Sequence, residues 1–198
     1  EDYNGVIQEG ISYVQRTSKG RLRHSAAKSF LNPIKSRKNL HIITHAHTTS
    51  VIIEKGRANG VAFSRGGRHG EEQQVFASCE VILSAGVVGS PHLLELSGIG
   101  DSTRLSELGI DVVHHLPGVG ENLRDHYAPR FTGRAKNTST INEMTRGPKL
   151  LWEIVKYALG KPSIVGLGPT LVYCFWHSEP SIRNHDLQLT FAPASYKE

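Results

Sequence analysis

The chain has 198 residues, 38% of them apolar and 21% charged, with a formal net charge of +5. No apolar run approaches the roughly eighteen residues that a helical membrane span needs, so the composition reads as soluble and globular, with enough length for one domain or parts of two. The positive balance does not indicate a nucleic-acid binder, because the basic residues are dispersed, the tightest group (Lys35-Ser36-Arg37-Lys38) reads as a solvated turn, and no nucleic-acid-binding motif accompanies it.

Residues 1–5 show no basic stretch followed by an apolar core, so no signal peptide is visible, and a start without methionine fits a piece of a longer chain. After a loosely extended stretch to Gly20, Ser25 followed by Ala26 to Leu31 predicts a capped short helix stopped by Asn32-Pro33. Leu40 to Ala46, Ser50 to Glu54, Gly60 to Ser64 and Gln74 to Ala77 are β-prone runs separated by turn residues, the spacing of an antiparallel meander. Cys79 and Cys174 lie in apolar stretches and are expected to be reduced, buried residues, not a disulfide.

Val81-Ile82-Leu83 predicts a short buried strand, leading through Ser84-Ala85-Gly86 to a helix expected to begin at Ser90-Pro91 and to end by Gly98. A second short helix is expected from Asp101 or Ser102 to Gly109, then a strand from Ile110 to His114. A glycine-rich loop runs from Pro117 to His126, and the character shifts at about Gly133 to Thr140, where a domain boundary is expected. Beyond it, Pro148 opens an amphipathic helix with Leu150, Leu151, Ile154, Val155 and Ala158 on one face, followed by strands from Thr170 to Trp176 and from Leu187 to Ala192.

The most informative segment is Ser84 to Gly100, in which a strand delivers glycines into a turn just before a helix. A helix N-terminus offers free N–H groups and glycine lets a ligand approach the backbone; turn geometry alone would account for the same glycines. The histidine pairs His45/His47 and His114/His115 lack a third ligand at zinc spacing, so no metal site is expected. Serine-hydrolase chemistry is unsupported: there is no Gly-x-Ser-x-Gly elbow, and the Ser90 hydroxyl is expected to cap a helix.

Gly86, Ser90-Pro91, Leu93-Leu94 and Ser97-Gly98-Ile99-Gly100 resemble the second signature of the glucose–methanol–choline (GMC) oxidoreductases. Asp2-Tyr3-Asn4-Gly5, Gln8-Glu9-Gly10, Arg23 with Ser25, Asn39-Leu40 leading to Thr44-His45-Ala46, Pro117 to His126, Asp186-Leu187-Gln188 and Phe191-Ala192-Pro193 are similar to further blocks in order, closest to the choline-dehydrogenase-like branch. One departure is Val87, where the signature has a small residue; it is expected to pack beneath the turn.

The resemblance implies an α/β (α+β) fold: part of a FAD-binding Rossmann-like domain with an antiparallel meander, plus the start of an antiparallel-sheet substrate domain. It assigns residues 1–20 to the substrate side, 21–135 to the FAD-binding domain and 136–198 to the substrate-binding domain. It makes Thr48, Ala85 and Gly86 FAD contacts at the adenine end, with Thr48 acting through its backbone. The implied reaction is oxidation of an alcohol CH–OH group by hydride transfer to flavin; the alcohol and the electron acceptor are unassigned. No catalytic residue is expected within the chain, since the family's catalytic histidine lies C-terminal to it; Asp125 and His126 are expected to pin a loop. The chain by itself is expected to be inactive and to bind FAD weakly or not at all. A non-redox FAD-containing lyase of the same fold and a catalytically inactive binding remnant stay as alternatives.

Overall fold

In the computed structural model, residues 2–67, 70–168 and 170–195 are described, and they gather into two compact units, 1–40 with 129–198 and 41–128. The first unit opens on a turn in which the Asp2 carboxylate accepts the Asn4 N–H at 3.0 Å and the Gln15 side-chain amide at 2.7 Å. The Tyr3 hydroxyl accepts the Gln15 N–H at 3.1 Å, so the Asp2-Tyr3-Asn4-Gly5 block is fastened just past β1 (Gly10–Tyr13). A hairpin of β2 (Ser18–Lys19) and β3 (Leu22–Arg23) follows. The expected helix is a single wide turn over Ala27–Leu31, with Ala26 rather than Ser25 at the capping position. Lys35 to Lys38 are exposed and lie in turns and loop, as expected.

The second unit is built on a three-stranded antiparallel meander, β4 (Ala46–Glu54), β5 (Arg57–Arg65) and β6 (Glu72–Phe76), in that order. Two strands were expected where β4 is one: His45 takes a positive φ of 55°, which keeps residues 41–44 out of the ladder, and a register shift between Thr48 and Ser50 carries the pairing across the expected gap. The Lys55-Gly56 turn has positive φ at both positions, the two-residue geometry whose twist suits a hairpin. Val81 to Leu83 join no ladder among the described residues. A strand forms only as one side of a ladder, and here its own hydrophobicity does not supply the other.

Helix α1 spans Gly86–Leu96, one turn earlier than Ser90-Pro91 predicts. The Ser90 hydroxyl still acts on the helix start, accepting the Ala85 N–H at 3.1 Å. Then come β7 (Ile99–Gly100), α2 (Ser102–Glu107) and β8 (His114–His115), with β7 and β8 parallel. Asp101 caps α2 by accepting the Arg104 N–H at 3.0 Å, as the sequence predicts, while of the expected Ile110–His114 strand only His114 pairs, joined by His115 against β7. Gly98 permits this return. Its φ is +80°, and a Cβ there would lie 2.4 Å from the Asp111 carbonyl oxygen. Among the described residues, the buried apolar ones, Val51, Ala62, Phe63, Leu93, Leu105 and Val119, all belong to this unit. Cys79 and Cys174 are free, but against expectation Cys174 is only half-buried and Cys79 is exposed: Cys79 sits in the bend after β6, where the Arg57 guanidinium holds the Ser78 and Cys79 carbonyls at 3.2 and 3.1 Å.

The first unit resumes with α3 (Ile141–Met144), opened by a Thr140/Glu143 capping box, and α4 (Gly147–Ala158) with proline in its first turn. Strands β9 (Val172–Trp176) and β10 (Leu187–Phe191) complete an antiparallel sheet of order β1-β9-β10, against which Tyr3 packs, 5.5 Å from Tyr173 and 6.0 Å from Phe175 between ring centroids. Arg21 donates to the Tyr157 and Ala158 carbonyls, covering acceptors that the C-terminus of α4 leaves open.

The expected apolar stripe of α4 is present, yet the side chain buried on this helix is Glu153, while Leu151 and Trp152 are exposed. An ion pair with Lys156 and the Ile164 N–H at 3.0 Å engage the Glu153 carboxylate, and Ser163 donates to its carbonyl at 2.7 Å. The Lys156 hydrogen bond, then the Ile164 N–H, hold this carboxyl below its ordinary pKa of 4.5 against the opposing effect of burial. No helix among the described residues is long and apolar enough to cross a membrane.

Two predictions follow from these constraints. Gly98→Ala should destabilise the chain by about 2 kcal/mol or more in a denaturant titration, since a left-handed backbone and a backbone clash act together. Because the Glu153 pKa is lower folded than unfolded, its stabilisation is full above the ordinary carboxylate range and is lost as pH falls through it. Glu153→Gln should therefore lower the melting temperature at pH 7, and its deficit relative to the unsubstituted chain should shrink steadily below pH ~4.5.

Candidate functional site

A cleft of about 870 Å³ opens in the 41–128 unit between the start of β4 and α1. Ala46, His47 and Thr48 form one wall, Val81 to Ala85 run along it, and Gly89, His92 and Leu93 of α1 face it. The structure thus brings Thr48 and Ala85 to one cavity, although 37 positions separate them in the chain. Gly86 is not among the lining residues; it begins α1 at φ +85°, with open space where a Cβ would stand. Its contribution is the direction of the helix, whose first-turn N–H groups have no acceptor within the helix itself. Thr48 lies at the register shift of β4, where the backbone departs from regular pairing.

One residue holds the two sides of the cleft together. Ser97, buried at the end of α1, donates its hydroxyl to the Leu93 carbonyl at 2.6 Å and accepts the Val51 N–H at 2.8 Å. β4 is an edge of its sheet, so this bond satisfies a backbone donor outside the meander. Sequence reasoning placed Ser97 in a motif and missed this role. The available signal was a serine four residues after a buried leucine, the spacing at which a hydroxyl bonds back to a helical carbonyl.

Among the described residues, the lining contains two titratable side chains, His47 and His92, and no carboxylate. Such a lining, mostly apolar with a few polar groups, suits a small uncharged ligand. His45 precedes the strand at positive φ and so does not share a strand face with His47. Val87 is 71% exposed and does not pack beneath the turn as expected, because the early helix start turns it outward.

The glycine-rich loop is fastened by Arg104, which pairs with Glu95 of α1, lies 3.6 Å from Glu121 and donates to the Val119 carbonyl at 3.3 Å. Asp125 and His126 are exposed and contact each other, with 3.9 Å between the imidazole Nδ1 and the carboxylate. In the other unit, Glu9, His177 and His185 converge, a grouping outside the histidine pairs singled out from the sequence.

A family model described as GMC oxidoreductase matches residues 1–128. An "Alcohol dehydrogenase [acceptor]" of Pseudomonas putida is 36% identical over 198 residues, covering 100% of this chain and 36% of that protein. An "Oxygen-dependent choline dehydrogenase" of Sinorhizobium medicae is 37% identical, covering 98% of this chain and 35% of the relative. A solved FAD-dependent oxidoreductase from Chaetomium thermophilum superposes with a TM-score of 0.71 at 25% identity, over 84% of this chain and 30% of that one. The chain spans about a third of the length of these relatives.

Ser97→Ala leaves the Val51 N–H buried without its acceptor, and unfolding measurements should show a loss of about 1–3 kcal/mol. A loss under ~0.5 kcal/mol, ordinary for a surface change, would contradict the bridging role.

Proposed function

The chain belongs to the GMC oxidoreductases, and from that membership we propose that it is an internal part of a FAD-dependent enzyme that oxidises the CH–OH group of a small alcohol. The observation that carries the reading is the convergence of Thr48 and Ala85, both picked out by family resemblance, on one cleft whose lining has no carboxylate. We assign this cleft to the adenine end of FAD. The Thr48 backbone supplies hydrogen-bonding groups at the register shift, Ala85 keeps the wall shallow, and Gly86 sets α1 so that its first-turn N–H groups face outward from the turn.

FAD, when bound, supplies the hydride-accepting chemistry that side chains lack. The residues of this chain bind and orient. None is assigned the proton transfer, which the family places on a histidine beyond the chain's end; His126, exposed and paired with Asp125, is not a candidate. The 41–128 unit serves the cofactor side. We assign the β1-β9-β10 sheet and residues 136–198 to the substrate side, a reading supported by the antiparallel sheet that residues 10–13 share with 172–176.

The test uses the flavoprotein that carries this chain. Ala85→Phe should fill the cleft and lower FAD content after gel filtration by about tenfold or more, equivalent to at least ~1.4 kcal/mol of binding. Val87→Ala, two positions away and exposed, should leave FAD content unchanged. Full FAD retention by Ala85→Phe would sink the assignment of the cleft.

A further inference from the structure

We propose that Glu9, His177 and His185 form a binding site for one divalent transition-metal cation of the zinc type, at one end of the β1-β9-β10 sheet. This inference stands on the first unit alone and is independent of the cofactor reading.

The fold, not the sequence, makes the cluster. Glu9 immediately precedes β1, His177 immediately follows β9, and His185 stands two residues before β10. The registers Gly10↔Phe175 and Leu187↔Trp176 put these three strand ends at the same edge. One carboxylate oxygen and one ring nitrogen from each histidine lie within 4.8 Å of one another. The imidazoles are close and tilted, with centroids 4.4 Å apart and planes 31° apart.

A second observation points to a missing partner. His177 Nδ1 and His185 Nε2 are both buried and have no hydrogen-bond partner among the described residues. Buried ring nitrogens are normally satisfied, and an unsatisfied one on each of the two clustered imidazoles fits ligands that lack their ion. The scaffold around them is fixed without a metal: Ser178 donates its N–H at 2.8 Å and its hydroxyl to the Asp186 carboxylate, closing the loop that carries both histidines. Glu9 is exposed and free to close on an ion that the imidazoles already hold.

The ligand chemistry selects the ion. Imidazole suits zinc and its first-row neighbours, whereas calcium and magnesium prefer all-oxygen shells. Two histidines and one carboxylate leave a fourth tetrahedral position for water, with bonds of about 2.0–2.2 Å once the ligands draw in. The bound ion ties three strand ends together.

Zn²⁺ is titrated into the chelator-treated flavoprotein that carries this chain, with Co²⁺ as a coloured reporter of coordination. We expect one tight equivalent, tetrahedral Co²⁺ bands in the visible, and a Kd weakened by about tenfold or more in each of His177→Gln and His185→Gln. The control is the double variant His114→Gln/His115→Gln, altered at the exposed pair on β8, which should bind as the unsubstituted chain does. Glu9→Gln, at an exposed position, keeps the test decisive if a histidine variant misfolds by circular dichroism: it must weaken binding several-fold and change the Co²⁺ spectrum. Absence of a stoichiometric site, equal loss in the His114/His115 control, or binding indifferent to Glu9 and to both histidines would each overturn the proposal.

Discussion

The Ser97 hydroxyl is the point on which the cleft depends. It joins the last turn of α1 to the outer edge of β4 through two hydrogen bonds, at 2.6 and 2.8 Å. Without it, the helix that carries Gly89 and His92 and the strand that carries Thr48 would face each other across an unsatisfied backbone donor. Gly98, the next residue, then lets the chain double back so closely that the Asp111 carbonyl occupies the place of a side chain. The Ser-Gly-Ile-Gly motif therefore has a physical reading that needs no ligand: it positions one wall of the cleft and starts the β7–β8 pairing. Arg104 extends the same logic by gripping Glu95 on α1 and the Val119 carbonyl in the glycine-rich loop.

The two units are held by different physics. The 41–128 unit contains the buried apolar residues and has an ordinary small core. The other unit relies on strand pairing, on the aromatic cluster of Tyr3, Tyr173 and Phe175, and on Arg21 at the end of α4. Its buried charge, Glu153, is tolerated because a lysine and a backbone N–H engage it. In this chain the apolar stripe of α4 is turned to the outside of its unit, an arrangement that the stripe alone would not suggest.

Much of the architecture was legible where local signals are strong. Pro148 and the 3.6-residue stripe marked α4, Asp101 marked α2, and the turn residues between Glu54 and Gly60 marked the β4–β5 hairpin. Errors arose where a local signal competed with tertiary geometry. Ser-Pro is a good helix start, yet the positive φ of Gly86 began α1 a turn sooner. Val81 to Leu83 are strand-like in composition, but pairing depends on a neighbour that no local pattern reveals. Thr48 and Ala85 could be placed in one site only through family resemblance. Ser97 had a readable spacing and was passed over, while Glu9, His177 and His185 had none, because strand register alone unites them.

The central claim, that the cleft between β4 and α1 receives the adenine end of FAD, is tested most directly by photocrosslinking. FAD carrying an azido group on its adenine ring would be bound to the flavoprotein that contains this chain, irradiated, and mapped by mass spectrometry. The account predicts crosslinks on the peptides that carry Ala46 to Thr48 and Val81 to His92. Crosslinks confined to other segments would contradict it.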